Sequence, residues 1–421
     1  MIEITPKSKI NAVVSINGSK SVTHRALIVS ALAEGQSVLE EFLSCEDTLY
    51  TLEALRHMGV DISIDNNKVI VNGTGGNFPL IEIKKEIFLG NAGTSYRLLL
   101  STAALGRGEY VFTGIPRMLE RPIGDLVAAL KTLGVKAECV GKEGYPPVLI
   151  KANGIKGGSV KIQGNISSQY LSSLLLAAPY SQNDVEIEVI GELVSRPYID
   201  VTIDVMQAFG IRIENNNYSD FKIASQNKYS SRRFIVDGDV SSASYFWGAA
   251  AITGGTAVTN NIHPYTTRQG DIVLLDILEK MGCHVKKEDN RVTVKGGALK
   301  GVDVDMGALP DMVPTMAAIA LFAEGQTTIR NVAHLRYKES DRIGDTVTEW
   351  RKLGCRIDET DDGLIIQGGY ELQGAEIDPH NDHRLAMSLA MVGLKVPGVR
   401  IIDEKCVDKS FPTFWKLWDL L

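Results

Sequence analysis

Alanine-rich apolar segments recur along this chain at nearly constant spacing. Each begins with small or polar residues and continues into a run with helical periodicity, as in NGSKSVTHRALIVSALAEG from Asn17 to Gly35. Equivalent positions lie 73, 74, 74, 70 and 71 residues apart, at Ser21, Thr94, Ser168, Ser242, Met312 and His383. This regular spacing predicts six copies of one structural repeat.

A second pattern follows each apolar segment: an amphipathic helix, a glycine and two short strands. In DLVAALKTLGVKAECVGKEGYPPVLIKANG from Asp125, apolar residues fall at i, i+3, i+4 and i+7, and Gly134 suits a helix C-terminus. Further copies begin at Thr51, Asp200, Asp271 and Asp345. The sixth copy begins at Lys409 without its final strands, so we expect the extended segment from Met1 to Val14 to complete it.

The six repeats are too large for one hydrophobic core, and a division into three and three is expected. The sequence therefore predicts an α/β protein of two similar domains. One domain spans residues 20–236, and the other combines residues 1–19 with 237–421.

Composition and charge narrow the classes of function. The 421 residues are 44% hydrophobic and 23% charged, which is typical of a globular protein. No apolar run approaches the ~18 residues that span a bilayer, so we expect no membrane association and a cytoplasmic location. The net charge of −7 argues against a nucleic-acid partner, and five scattered cysteines indicate neither a disulfide framework nor a zinc site.

A cation precedes the second helix of most repeats, where it opposes the helix dipole. These cations are Arg121, Arg196, Arg268, Arg342 and Lys409. They either pair with the acidic residue of the following helix, namely Asp125, Asp200, Asp271 or Asp345, or bind an anionic ligand. The start of the first apolar helix, with Lys20 and Arg25, also suits an anion. Together with Arg97 and Arg384, these residues predict ligands that carry phosphate or carboxylate groups.

Two carboxylates and two histidines lie within the repeated segments. Asp311 is either a helix cap or a functional carboxylate, and Glu339 is either half of a surface ion pair or a functional group. His380 and His383 suit capping or hydrogen bonding, and no third ligand has the spacing of a metal site. The tryptophans fit the helical core pattern, at Trp247, Trp350, Trp415 and Trp418.

Eight short motifs occur in order between Asn17 and Trp415, namely GSKSVTHRAL, LGNAGTSYR, ERPIG, SSQY, SSASYF, RYKESDR, NDHRLAM and KSFPTFW. Through these motifs the sequence resembles the 5-enolpyruvylshikimate-3-phosphate synthase family. The resemblance implies two similar domains, each of three βαβαββ units, with the active site in the cleft between them. It also implies transfer of the enolpyruvyl group of phosphoenolpyruvate to the 5-hydroxyl of shikimate 3-phosphate. The reaction releases phosphate by addition and elimination through a tetrahedral intermediate.

The same resemblance implies a set of site residues. No metal or organic cofactor is expected, the partners are the two small-molecule substrates, and we expect a monomer. Shikimate 3-phosphate is expected to contact Lys20, Ser21, Arg25, Ser167, Ser168, Gln169, Ser195, Asp311 and Lys338. Phosphoenolpyruvate is expected to contact Lys20, Gly93, Arg121, Gln169, Arg342, Arg384 and Lys409. Asp311 matches the base and Glu339 the acid, and Lys20 and Lys409 are expected to assist.

Two positions depart from the family pattern. Leu98 follows Arg97 where many members have proline, which leaves sensitivity to the inhibitor glyphosate open. His334 stands where many members carry an asparagine that contacts shikimate 3-phosphate, so His334 is also a candidate contact.

Two other functions would also use a repeated scaffold that carries cations. The related enolpyruvyl transferase acting on UDP-N-acetylglucosamine carries a reactive cysteine near the segment from Arg117 to Arg121, and none is present here. A noncatalytic protein that binds a phosphorylated metabolite would keep the cations but would need neither Asp311 nor Glu339.

Overall fold

The computed structural model describes residues 1–421, and its helices and strands follow the six repeats. Two strands come first, β1 (Ile2–Glu3) and β2 (Asn11–Ser15). Repeat 1 contains α1 (Lys20–Leu32), β3 (Glu34–Glu40), α2 (Glu46–His57), β4 (Asp61–Asp65) and β5 (Lys68–Thr74). Repeat 2 contains β6 (Lys85–Phe88), α3 (Gly93–Ala104), β7 (Arg107–Thr113), α4 (Pro116–Leu119), α5 (Gly124–Thr132), β8 (Lys136–Cys139) and β9 (Val148–Asn153).

Repeat 3 and repeat 4 follow the same plan. Repeat 3 contains β10 (Gly158–Gln163), α6 (Ser168–Ala177), a 3₁₀ turn (Ala178–Tyr180), β11 (Val185–Ile190), α7 (Pro197–Ala208), β12 (Glu214–Asn216) and β13 (Asp220–Ile223). After β14 (Arg233–Ile235), repeat 4 contains α8 (Val240–Thr253), β15 (Thr256–Asn260), a 3₁₀ turn (Gly270–Val273), α9 (Leu274–Met281), β16 (His284–Glu288) and β17 (Arg291–Lys295).

The last two repeats use more 3₁₀ turns. Repeat 5 contains β18 (Asp303–Asp305), a turn (Pro310–Met312), α10 (Val313–Ala320), β19 (Gly325–Arg330), a turn (Ala333–Tyr337), α11 (Gly344–Lys352), β20 (Arg356–Glu359) and β21 (Leu364–Gly368). Repeat 6 contains β22 (Glu376–Ile377), α12 (His383–Gly393), β23 (Arg400–Ile401), a turn (Glu404–Lys409) and α13 (Phe414–Trp418).

The strands form six small sheets, one for each repeat. Five sheets have four strands, in the orders β14-β3-β5-β4, β6-β7-β9-β8, β10-β11-β13-β12, β16-β17-β15-β2 and β18-β19-β21-β20, and the sixth has the order β1-β23-β22. Each four-stranded sheet combines one parallel pair with two antiparallel pairs. The sixfold repeat is therefore a repeat of topology as well as of sequence.

Only part of the N-terminal segment completes repeat 6, which corrects the prediction for Met1 to Val14. β1 pairs with β23, but β2 pairs in parallel with β15 of repeat 4. Ile4 and Lys7 still donate backbone hydrogen bonds to the carbonyl oxygens of Val399 at 3.0 Å and Leu394 at 2.8 Å in repeat 6. Pro6 between them has no N–H group with which to continue the β1 ladder, and the chain then passes to repeat 4. β2 then buries Ala12 and Val14 on one face of the sheet of repeat 4. In a matching arrangement, β14 precedes repeat 4 in sequence but pairs with β3 of repeat 1.

The chain divides into a continuous domain, Gly18–Val236, and a discontinuous domain, Met1–Asn17 with Asp237–Leu421. The sequence-based boundary after residue 19 lies two residues later than this division. A Cβ atom on Gly18 would lie 1.9 Å from the Glu41 carbonyl oxygen and 3.1 Å from Val236, so residue 18 packs closely within the continuous domain. Each domain contains three of the repeats.

The alanine-rich helices form the centre of each domain. In the continuous domain α1, α3 and α6 contact one another, and in the discontinuous domain α8, α10 and α12 do the same. Helices that are apolar on all sides belong in such an interior, and every residue of α8 is buried. Trp247, Trp350 and Trp418 are buried as predicted, and Trp415 packs against the same core. No helix combines the length and the apolar character that crossing a membrane requires.

Candidate active site

Lys20 is the first residue of α1, and its side chain forms an ion pair with Asp47 of α2. Its Nζ lies 2.9 Å from Oδ2 of Asp47, with 12% and 2% of the two side chains exposed. Asp47 lies in the first turn of α2, where sequence analysis gave it no role because an acidic residue there is also ordinary helix stabilisation. The structure therefore adds Asp47 to the candidate residues.

A short hydrogen-bond chain holds the backbone beside this pair. The Ser95 hydroxyl donates to the Asp47 carbonyl oxygen at 2.9 Å, and the Thr51 hydroxyl donates to Ser95 Oγ at 2.9 Å. Nδ1 of His24 lies 2.8 Å from the Thr51 hydroxyl. The start of α2 is thus connected to α1 and α3 through buried side chains.

Arg25 is 1% exposed, and its guanidinium contacts only neutral groups. It donates to the Thr202 hydroxyl at 2.7 Å, the Ser172 hydroxyl at 3.3 Å, and the carbonyl oxygens of Ser21 at 2.8 Å and Tyr198 at 3.1 Å. Burial lowers the pKa of this guanidinium to about 10, and Tyr198 opposes that shift. A buried cation without a carboxylate is costly, and an anionic ligand would compensate it.

Gly93 begins α3 and lies against the guanidinium of Arg121. A Cβ atom on Gly93 would be 2.5 Å from Nη2 of Arg121. Nη1 of Arg121 donates to the Asn91 carbonyl oxygen at 3.0 Å and to its side-chain oxygen at 3.1 Å. The glycine therefore leaves room for a buried arginine, and Asn91 helps to fix that arginine in place.

Side chains of Arg97 and Gln169 connect the helices α3 and α6. Nη1 of Arg97 donates to Oε1 of Gln169 at 2.7 Å, and the Gln169 amide donates to the Thr94 hydroxyl at 2.9 Å. Ser167 caps α6, where its hydroxyl accepts from the Gln169 N–H at 3.3 Å. Ser168 is the first residue of that helix and is buried. The structure thus brings these predicted residues together.

Ser195 lies on the turn before α7 and is buried with a φ of 55°. The neighbouring Arg196 makes an ion pair with Glu192 at 3.8 Å and lies 5.7 Å from the centre of the Tyr218 ring. Pairing of Arg196 with Asp200 was one of the two alternatives considered from sequence. The structure instead pairs Arg196 with Glu192, and the Asp200 carboxylate accepts from the Tyr218 hydroxyl at 2.6 Å.

In the discontinuous domain, Arg342 lies among three carboxylates. Its side chain is 1% exposed and donates to Asp311 at 2.9 Å, Glu339 at 2.7 Å and Asp382 at 2.7 Å. Burial lowers the pKa of Arg342, but Asp382, Glu339 and Asp311 outweigh burial and raise it. Glu339 is only 10% exposed, so the surface ion pair considered from sequence is wrong.

Asp311 links two of the predicted cations. Its Oδ1 accepts from Arg342, and its Oδ2 accepts from Nη2 of Arg384 at 2.7 Å. Nζ of Lys338 lies 3.8 Å away. Burial raises the pKa of Asp311, but the charges of Arg384, Lys338 and Arg342 outweigh burial and hold that pKa well below its usual range.

Asp382 was missed from sequence although it lies in the phrase NDHRLAM. It caps α12 by accepting from the Arg384 N–H at 2.9 Å, and it also accepts from Arg342. Tyr245 of α8 accepts from Nη1 of Arg384 at 3.4 Å. The local sequence shows that Asp382 can cap a helix, but it does not show that the same carboxylate binds the guanidinium of Arg342.

The remaining candidates also lie in the discontinuous domain. His334 is in the turn Ala333–Tyr337, and its Nε2 is buried without a hydrogen-bond partner. Burial, followed by the charge of Lys338, lowers the pKa of His334 to about 4. Lys409 ends the turn Glu404–Lys409 and is 4% exposed. His380 makes a hydrogen bond of 3.1 Å to Glu349, in agreement with the role expected for it.

The chain is similar over nearly its whole length to proteins of one named family. The sequence model of EPSP synthase (3-phosphoshikimate 1-carboxyvinyltransferase) matches residues 4–418. A protein of Sulfurovum sp. (strain NBC37-1) named 3-phosphoshikimate 1-carboxyvinyltransferase is 45% identical, with 99% of this chain and 98% of that protein aligned. A protein of the same name from Vibrio vulnificus (strain YJ016) is 45% identical over 98% and 97% of the two chains. The solved structure of EPSP synthase from Acinetobacter baumannii superposes with a TM-score of 0.82 at 30% identity, over 99% of this chain and 97% of that one.

Proposed function

The chain belongs to the EPSP synthase family, and we propose that it transfers the enolpyruvyl group of phosphoenolpyruvate to the 5-hydroxyl of shikimate 3-phosphate, releasing phosphate. Among members of this family, the proposal is supported most directly by the environment of Arg25. This residue is a fully buried cation with neutral partners inside GSKSVTHRAL, one of the phrases that resemble the family. Such a group supports a site for an anionic substrate.

The proposed substrate contacts follow the family pattern. For shikimate 3-phosphate we propose Lys20, Ser21, Arg25, Ser167, Ser168, Gln169, Ser195, Asp311, His334 and Lys338. For phosphoenolpyruvate we propose Lys20, Gly93, Arg121, Gln169, Arg342, Arg384 and Lys409. Many of these side chains are cationic, as two phosphorylated and carboxylated substrates require.

The chemistry needs a base for the attacking hydroxyl and an acid for the methylene carbon. Asp311 is suited to the first role because its lowered pKa keeps it ionised near neutral pH. An anion that draws Arg342 and Arg384 away from Asp311 would make this carboxylate a stronger base. Glu339 is assigned the role of the acid that protonates the methylene carbon. It accepts a hydrogen bond from Arg342, and a bound anionic substrate would compete for that guanidinium. Lys20 and Lys409 would assist proton transfer.

We further propose a cytoplasmic monomer that acts without a nucleic-acid partner. The net charge of −7 supports the last point. Light scattering after size-exclusion chromatography would test the oligomeric state.

Phosphate release measured with different acceptors tests the proposed reaction against its alternatives. The full chain is incubated with phosphoenolpyruvate, a chelator and either shikimate 3-phosphate or UDP-N-acetylglucosamine. We expect release only with shikimate 3-phosphate. Release with the nucleotide sugar would favour the related transferase, and tight binding without release would favour a noncatalytic protein.

A further inference from the structure

Arg97 is a buried cation to which the proposed substrate contacts give no role. It lies in α3 and is 6% exposed. Its Nη1 donates to Oε1 of Gln169 at 2.7 Å, and its guanidinium carbon lies 5.6 Å from the centre of the Tyr170 ring. Neither partner is a carboxylate. Burying a cation without an ion pair is costly, so packing alone does not account for an arginine at this position.

The contact with Arg97 determines which way the amide of Gln169 faces. A guanidinium donates hydrogen bonds and accepts none, so the amide oxygen has to face Arg97 and the amide nitrogen has to face Thr94. The Thr94 hydroxyl accepts from that nitrogen at 2.9 Å. Thr94 and Arg97 are three residues apart in α3 and therefore share a face of the helix. Together they hold the amide at both ends.

Gln169 keeps one hydrogen-bond donor for a ligand. It lies in the first turn of α6 and is partly exposed, and Thr94 uses only one of the two N–H groups of its amide. A cation bound to the oxygen of an amide polarises that amide and strengthens its N–H groups as donors. The contact with Arg97 therefore sets both the direction and the strength of the hydrogen bond that Gln169 can donate to an anionic oxygen.

We propose that Arg97 is a positioning residue for the enolpyruvyl transfer, which orients and polarises the amide of Gln169 toward the substrates. The inference rests on the proposed function, in which Gln169 contacts both substrates. Arg97 itself is not placed against either substrate.

A double-mutant cycle tests this role. The value of kcat/KM for phosphoenolpyruvate, at saturating shikimate 3-phosphate, is measured in the wild type, Arg97→Met, Gln169→Met and the double variant. Methionine keeps an unbranched side chain of similar length but carries no N–H group. We expect each single substitution to lower kcat/KM by about tenfold, and the double variant to be within about twofold of the poorer single variant. Independent effects would multiply to about a hundredfold.

The cycle separates positioning from two simpler roles. If the charge of Arg97 attracted the substrates directly, or if Arg97 only supported the fold, Arg97→Met would lower kcat/KM in the Gln169→Met background as well. We expect the thermal unfolding midpoint of Arg97→Met to stay the same or to rise, because a buried cation without a carboxylate is removed. Arg107→Met is the matched control, since Arg107 is an exposed arginine at the start of β7, and its kcat/KM should equal that of the wild type.

Arg97→Lys keeps the proposal testable if Arg97→Met does not fold. Lysine retains the positive charge but lacks the planar fork of nitrogens that holds the amide in one orientation. We expect Arg97→Lys to lower kcat/KM by about threefold or more, and this loss to disappear when residue 169 is methionine.

Wild-type kcat/KM in Arg97→Met or Arg97→Lys, or effects that multiply with those of Gln169→Met, would overturn the inference. If Gln169→Met lowers kcat/KM and either of these results is found, only the role of Arg97 is wrong. If Gln169→Met keeps the wild-type value, the substrate contact assigned to Gln169 is wrong, and the inference falls with it. Absence of phosphate release by the folded wild type would instead be failure of the proposed function.

Discussion

The ammonium group of Lys20 lies 2.9 Å from the carboxylate of Asp47, and both side chains are largely buried. Lys20→Met removes the cation that is proposed to contact both substrates, so we expect kcat/KM to fall by about a hundredfold or more. The substitution also removes this hydrogen-bonded cation from the buried Asp47 carboxylate, which should lower the free energy of unfolding by about 1–3 kcal/mol.

The double variant Lys20→Met with Asp47→Asn separates these two effects. Neutralising Asp47 should restore most of the stability, as measured by urea unfolding, but should not restore kcat/KM. Recovery of activity in the double variant would show that Lys20 acts only by balancing Asp47.

Arg25 should be more important for binding than for folding. Arg25→Gln removes a buried charge whose partners are all neutral, so we expect the thermal unfolding midpoint to stay the same or to rise. The KM for shikimate 3-phosphate should increase by about tenfold to a hundredfold, because a charge-assisted contact is lost. Arg196→Gln is the control, since Arg196 is half exposed and pairs with Glu192. A stability loss in Arg25→Gln with unchanged KM would assign Arg25 to the core instead.

The Gly93 substitution acts through Arg121. In Gly93→Ala the new methyl group would lie 2.5 Å from Nη2 of Arg121, so the guanidinium must shift from its position at Asn91. We expect a higher KM for phosphoenolpyruvate and a larger factor of weakening for glyphosate, because the longer ligand needs more of the same space. Steady-state inhibition measured on both forms gives the two factors. Equal factors would show that Gly93 does not discriminate between the two ligands.

His334 should make stability depend on pH in the acidic range. Its pKa is about 4 in the folded protein and about 6.5 when unfolded, so the unfolded state binds more protons between these values. The stability contributed by neutral His334 is present above about pH 6.5 and is lost as the pH falls toward about 4. Between about pH 8 and about pH 5, His334→Asn should therefore lose about 2 kcal/mol less unfolding free energy than the wild type.

Urea unfolding at both pH values gives this difference, and His284→Gln serves as the control at an exposed histidine of β16. The same pH loss in His334→Asn and the wild type would mean that His334 is not kept neutral by its surroundings.

The repeats and the core could be predicted from sequence because their signals are local. The apolar segment that becomes α8 and the amphipathic segment from Asp125 each carry their own periodicity, and both form helices. The pairing of β2 with repeat 4 was missed because a five-residue strand carries little information about its partner. The pairing of β2 with β15 is stabilised by the burial of Ala12 and Val14, which depends on residues distant in sequence.

The candidate site was predictable to a similar degree. Repeated cations such as Arg342 stood out because they oppose a helix dipole, but their partners are distant in sequence. Arg342 is 40 residues from Asp382, and Lys20 is 27 residues from Asp47. Acidic residues in a cap or first turn look ordinary by local pattern, so Asp47 and Asp382 needed the structure.

Direct identification of the products tests the central claim that this chain is an enolpyruvyl transferase acting on shikimate 3-phosphate. The full chain is incubated with phosphoenolpyruvate and shikimate 3-phosphate, and the mixture is followed by phosphorus-31 NMR and mass spectrometry. We predict equal amounts of inorganic phosphate and of a product heavier than shikimate 3-phosphate by one enolpyruvyl group, and almost none with Lys20→Met. Phosphate without that product, or no reaction in a folded wild-type protein, would contradict the account.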